Sequence, residues 1–143
     1  MGSRLFWELV DNGRSDCASL SFGDFYDAGF FYTSLCCAPE DTSSNLRILE
    51  DLYREILSDG VRAEELERSK NKLLSRLVLS EERTQGRLFS VGTEWTQTRK
   101  YYPIQKDMEI VRKMTLDQIN AIIKKYPLLP SLTIAVGPCE NLF

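Results

Sequence analysis

Cys17-Ala18-Ser19-Leu20-Ser21-Phe22 and Phe30-Phe31-Tyr32-Thr33-Ser34-Leu35-Cys36-Cys37-Ala38 are the stretches on which the fold turns. The first alternates apolar and polar residues, the period of a half-buried strand, and the second is rich in residues that pack on a pleated surface. Between them Gly23-Asp24-Phe25-Tyr26-Asp27-Ala28-Gly29 reads as a hairpin loop. Pro39 closes the second strand, because it has no amide proton to give to a ladder.

Upstream, Leu5, Phe6, Leu9 and Val10 fall on one face of a short helix over Arg4–Asp11, which Asn12-Gly13 stops. Downstream, Leu46, Leu49, Tyr53 and Ile56 recur at helical spacing, and Gly60 stands where a helix-ending glycine belongs. Glu64 and Glu65 then complement the dipole of a new helix whose apolar face is Leu66, Leu73, Leu74 and Leu77. That helix is expected to run past Arg83 and to bend or end near Gly86 and Gly92, with a second stretch reaching about Lys100. A short helix over Asp107–Met114 follows the break at Tyr101-Tyr102-Pro103, and Thr115-Leu116-Asp117-Gln118 is a capping box for another. Pro127 and Pro130 bracket a turn, and Leu132-Thr133-Ile134-Ala135-Val136 alternates into an expected last strand. The fold class is therefore α+β, two layers, with a small antiparallel-rich sheet covered on one face by helices. Three strands are few for so many helices, so the sheet is expected to be incomplete and to leave an open edge.

The 143 residues, 43% hydrophobic and 27% charged, are expected to form a single unit over residues 1–143. A net charge of -3 with both signs interspersed provides no basic stripe, so no nucleic acid partner is expected. Without an apolar run of membrane-spanning length or a signal peptide, no membrane association is expected and a cytoplasmic location is the default. Histidine is absent, which removes the commonest general base and zinc ligand. Cys17, Cys36, Cys37 and Cys139 form no C-x-x-C pair and read as small buried apolar residues. Acidic groups at Glu64, Glu65, Glu67, Glu81 and Glu82 read as solvated helix faces, while Trp7, Trp95, Tyr101 and Tyr102 read as core aromatics. Ser21, Ser34 and Ser90 have no nucleophile setting, and the glycines assemble no phosphate loop. From the residues alone, the chain is an α+β scaffold or interaction unit without catalytic or metal-binding residues.

A family resemblance adds to this. Ser3-Arg4-Leu5-Phe6-Trp7-Glu8-Leu9-Val10 resembles the S-R-L-F-x-E-(V/L) that opens the second half of a domain of pitrilysin/insulinase-type zinc peptidases. Asp27-Ala28-Gly29-Phe30-Phe31 is similar to the family's D-x-G-x-F, and Cys37-Ala38-Pro39-Glu40 to its A-P-E. Gly60-Val61 with Ala63-Glu64-Glu65-Leu66-Glu67-Arg68-Ser69-Lys70-Asn71 resembles its G-V-T-x-E-E-L-x-x-A-K-N helix. Glu82, Gly86-Arg87 and Gly92 are similar to its E-x-x-x-(G/S)-R-x-x-x-x-G stretch, and Met114-Thr115-Leu116-Asp117 and Leu132–Pro138 to its closing helix and strand. The resemblance marks Gly29, Pro39, Gly86, Arg87 and Gly92 as structural positions.

The resemblance implies the second half of the non-catalytic C-terminal domain, without its leading strand, in a parent zinc endopeptidase. Zinc would then sit on an H-x-x-E-H helix in the N-terminal catalytic half or in a partner chain, with no cofactor held here. Expected partners are the N-terminal peptidase domain or a homologous subunit, a second copy through the open sheet edge, and peptide substrate only in the full-length protein. Active members carry an Arg and, seven residues later, a Tyr that hold the substrate; Asp11 and Ala18 stand at those positions, with Arg14 nearby as a replacement. Asp11, Arg14 and Ala18 are thus the candidate substrate-wall residues. The alternative is a structural subunit of processing-peptidase or core-protein type, in which peptidase activity is lost altogether.

Overall fold

The opening Ser3-Arg4-Leu5-Phe6 works as an anchor. In the computed structural model, which describes residues 2–25 and 28–138, the Ser3 hydroxyl accepts the Phe6 amide at 3.1 Å. Arg4 reaches across to the end of a later helix, pairing with Glu55 at 3.2 Å and donating to the Gly60 carbonyl at 3.1 Å. A guanidinium suits this place, since the last carbonyls of a helix lack internal partners and carry the negative end of its dipole. Phe6–Val10 is a π-helical turn rather than an α-helix, with the Asp11 amide closing on the Phe6 carbonyl at 2.8 Å.

Two strands follow, β1 (Cys17–Phe25) and β2 (Ala28–Cys36), antiparallel and in a register that pairs Cys17 with Cys36 and Phe25 with Ala28. The ladder therefore consumes most of the loop expected over Gly23–Gly29; what is left of it, Tyr26 and Asp27, lies outside the described residues. A Cβ at Gly29 would meet the edge of the Phe22 ring at 2.5 Å, so a side chain there would require that ring to shift. Pro39 ends the extension, as expected, and opens a 3-10 turn, Pro39–Asp41.

α1 (Thr42–Asp59) supplies the partner surface. Its buried residues Asn45, Leu49, Leu52 and Tyr53 follow the helical period and meet Leu5 and Leu9, with Ala18 and Leu35 of the hairpin packed around them. Gly60 ends α1 at φ 75° and ψ -165°, a backbone region open in practice to glycine alone. Leu9 and Asn45 are completely buried, and the Asn45 amide donates to the Arg14 carbonyl at 2.7 Å. That bond satisfies a backbone group of the turn leading into β1, which packing alone would leave without a partner.

The remaining helices are α2 (Ala63–Glu82), α3 (Thr84–Thr98), α4 (Ile104–Lys113) and α5 (Leu116–Lys125). Residues up to Gly60 and from Ile123 onward group into one compact unit, and Val61–Ile122 into a second. The expected break after α2 falls at Arg83, whose extended backbone (φ -92°, ψ 121°) separates α2 from α3 before either glycine is reached. Gly86 is nevertheless required by that turn: a Cβ there would sit 2.4 Å from the Ser80 carbonyl oxygen. Gly92 faces open space. At α5 the capping box forms as the sequence predicts, with reciprocal bonds of 3.0 and 3.3 Å between Thr115 and Gln118. Among the described residues, no helix is long and apolar enough to cross a membrane.

One expected strand is missing. Leu132–Val136 makes no ladder, and the sheet of the described residues has two strands. A strand exists only with a neighbour to take its amides and carbonyls, and among the described residues this segment pairs with none; Leu132, Ile134 and Val136 are 89%, 81% and 99% exposed. The assignment to α+β stands with a smaller sheet than the pattern suggests.

Two measurements test this packing. Asn45→Ala is expected to lower unfolding free energy by about 1–3 kcal/mol in urea denaturation, by stranding the Arg14 carbonyl. Gly86→Ala is expected to cost about 1–3 kcal/mol through overpacking, whereas Gly92→Ala should gain about 0.5–1 kcal/mol from helix propensity. Equal effects at the two glycines would contradict the close approach at Ser80.

Candidate functional site

The segment from Asp11 to Ala18 holds the three candidate wall residues, and the backbone decides where each points. Gly13 turns the chain at φ 68°, and the Arg14 and Ser15 amides both return to the Leu9 carbonyl, at 3.0 and 2.9 Å. Asp11 and Arg14 consequently stand exposed on one tight turn. Ala18 is separated from them in environment, half-buried at the start of β1 and packed against the core formed by Leu9 and α1. The structure thus brings together Asp11 and Arg14 but not Ala18. A carboxylate only accepts hydrogen bonds and a methyl group does neither, so neither Asp11 nor Ala18 can donate to a substrate carbonyl.

The hairpin has two dissimilar faces, because side chains alternate along each strand. Ala18 and Leu35 lie on the inner one, toward α1, where the Thr33 hydroxyl bonds the Tyr53 hydroxyl. Phe22 and Phe31 continue this face, their rings 5.0 Å apart. On the outer face Phe25 stacks on Phe30 at 5.9 Å, and Phe30 packs against Tyr32 at 5.6 Å. All five of these rings remain substantially exposed. Beside β2 and α1 lies a groove of about 820 Å³, bordered by Leu20, Phe31, Leu46, Tyr53, Leu128 and Ile134. Its walls are more apolar than polar.

Several predicted roles end elsewhere. Arg87 donates to the Tyr101 hydroxyl at 2.7 Å in the second unit, an exposed bond that fits a structural role. Trp7, Trp95 and Tyr101, expected in the core, are about half exposed. Cys17 and Cys36, expected to be buried, are free and exposed because they point to the outer face of the hairpin. Cys139 lies outside the described residues. Among the described residues no group of three or more His, Cys, Asp or Glu could hold a metal ion. The sequence also has no histidine, the commonest zinc ligand.

Two features were not anticipated. Asn45 sits in the apolar stripe of α1, and its signal was visible as the one polar residue at the spacing of Leu49 and Leu52. Tyr53 has its phenol pushed up from the usual tyrosine range by burial, partly countered by its bond to Thr33.

With this geometry in hand, the comparison with known sequences is decisive. The family described as "Peptidase M16 inactive domain" matches residues 1–73. The chain belongs to that family. The match takes in the Ser3-Arg4-Leu5-Phe6 anchor, the hairpin, α1 and the first half of α2. Similar proteins include uncharacterized zinc proteases of Mycobacterium bovis and Mycobacterium tuberculosis, 24% identical over 125 residues, or 87% of this chain and 28% of theirs. Another is an uncharacterized zinc protease of Rickettsia felis, 25% identical over 96% of this chain and 34% of its own length. The M16 domain described here therefore spans about a third or less of the curated relatives it matches. Among solved structures, the periplasmic protease PqqL from Escherichia coli superposes with a TM-score of 0.69 at 15% identity, over 85% of this chain and 14% of that one. The likeness to PqqL shows a shared fold. The chain is thus an α+β unit of the M16 inactive-domain family, similar in sequence to part of the uncharacterized zinc proteases named above.

The M16 domain should reveal Tyr53 in alkali. Its phenol ionises later in the folded protein than in the unfolded chain, so its contribution is intact below the unfolded value of about 10. As pH rises beyond that value the unfolded state loses its proton first, and stability falls. Urea denaturation from pH 8 to 11 is expected to show this loss in the wild type and a smaller one in Tyr53→Phe.

Proposed function

We propose that this chain serves a zinc endopeptidase as a non-catalytic domain, its hairpin and groove forming part of the wall of a peptide-holding chamber and of the surface that pairs with the catalytic half. The exposed aromatic hairpin carries the reading. A two-stranded ribbon rarely holds itself together in water, and one with Phe22, Phe25, Phe30, Phe31 and Tyr32 exposed on its two faces is suited to being covered. Zinc belongs, in this reading, to the N-terminal half of the parent or to a homologous partner subunit, and peptide substrate binds only in the complete protein. The open hairpin edges also make a second copy of the chain a possible partner, which sedimentation over a range of concentrations would detect as a dimer.

A structural subunit without peptidase activity is the second reading. Asp11 and Ala18 favour it, since they occupy the places of the substrate-holding Arg and Tyr and cannot do their work. Zinc content of the full-length protein distinguishes the two: one zinc per catalytic half supports the peptidase, and none supports the scaffold.

For the peptidase reading, Phe30→Ala and Tyr32→Ala in the full-length protein are expected to raise KM for a peptide substrate about threefold to tenfold with kcat little changed, the pattern of lost uniform binding. Unchanged KM in both variants would argue against a chamber-wall role for the outer face.

A further inference from the structure

Cys17 and Cys36 are opposite each other in the β1–β2 ladder, the first pair of the hairpin at its base. Directly opposed residues in an antiparallel pair have their Cβ atoms about 4.5–5.5 Å apart, within reach of the separation a disulfide spans after a small adjustment. Both side chains are on the outer face, exposed and unbridged. Cys37 is half-buried, its sulfur 3.8 Å from the Thr42 hydroxyl, and it belongs to the other side of the chain. Proximity of the first two sulfurs has a second sign: the Cys36 thiol is pushed up from its ordinary range first by Cys17, which is also its hydrogen-bond partner, with lesser contributions from burial, Asp16 and Cys37.

We infer that Cys17 and Cys36 form a reversible dithiol–disulfide site, a redox clasp across the base of the hairpin, whose co-substrate is a low-molecular-weight disulfide. The thiolate of one cysteine attacks the small disulfide, breaking its S–S bond, forming a mixed disulfide and releasing one small thiol. The other cysteine, as thiolate, attacks the protein sulfur of that mixed disulfide and releases the second small thiol. Two protein thiols are oxidised, one small disulfide is reduced to two thiols, and the two protons pass to the departing sulfurs. The bridge joins the strands where the Asp16 amide already donates to the Cys36 carbonyl at 2.8 Å, so closure adds a covalent restraint at the base of the hairpin.

The purified protein is to be equilibrated with a mixture of oxidised and reduced glutathione, its remaining thiols alkylated in acid, and its chymotryptic peptides identified by mass spectrometry. Chymotrypsin cuts at the aromatic residues between the two cysteines, so a Cys17–Cys36 bond appears as two joined peptides. The expected result is that joined pair, abolished by dithiothreitol, preserved in Cys37→Ser and lost in Cys36→Ser. It should form at least about tenfold faster in the native protein than in urea, because the fold holds the two sulfurs together. Cys17 and Cys36 still alkylated at equilibrium, either one trapped as a stable glutathione adduct, or either one bonded to Cys37 or Cys139 instead would overturn the inference.

Discussion

The packing of Leu5 and Leu9 against Leu49, Leu52 and Tyr53 of α1 is the contact on which the first unit depends. A two-stranded ribbon cannot bury enough surface to hold itself together. It needs a floor, and the π-helical turn that precedes the hairpin and α1 that follows it supply one together. Asn45 fixes the direction in which the chain leaves that floor by holding the Arg14 carbonyl, and Ala18 and Leu35 then fall onto the same core. The Arg4 contacts with Glu55 and Gly60 clamp the far end of α1 to the same opening segment. Ser3-Arg4-Leu5-Phe6 thus has a physical explanation at each residue before any family is invoked: a cap, a helix-end cation, a core side chain and the acceptor of the π-turn.

Legibility in the sequence followed locality. Elements specified by neighbours within a few residues could be read: the stripe of α1, its terminal Gly60, the Thr115–Gln118 box and the halt at Pro39. Features that depend on distant partners could not. Leu132–Val136 has the alternation of a strand, but alternation describes a surface and not a neighbour, and no ladder forms. Cys17 and Cys36 look like core residues by composition, yet their position in the register turns them outward. The break falls at Arg83, earlier than glycines as helix breakers suggest, because Gly86 serves the close approach to Ser80 after the chain has already turned. Of the candidate wall residues, Asp11 and Arg14 share a turn as their spacing allows, and only the fold reveals that Ala18 faces the core.

The proposed function draws on the chemistry of particular positions. Asp11 and Ala18 have no hydrogen to give a substrate carbonyl, histidine is absent, and the described acidic and thiol groups do not converge on a metal. Exposed apolar surface remains as the main resource: rings on both sides of the hairpin and a groove beside β2. Such surface is costly to leave in water. In the proposed role, a catalytic half or a peptide would cover this surface, and shape would matter more than reactivity.

That account is tested most directly by loading the purified 143-residue chain with zinc, removing excess by gel filtration, and measuring bound metal and peptide hydrolysis together. It predicts no hydrolysis above background and no zinc whose removal by chelator changes any activity. One tightly held zinc per chain, with peptide cleavage that disappears on chelation and returns on reloading, would contradict it.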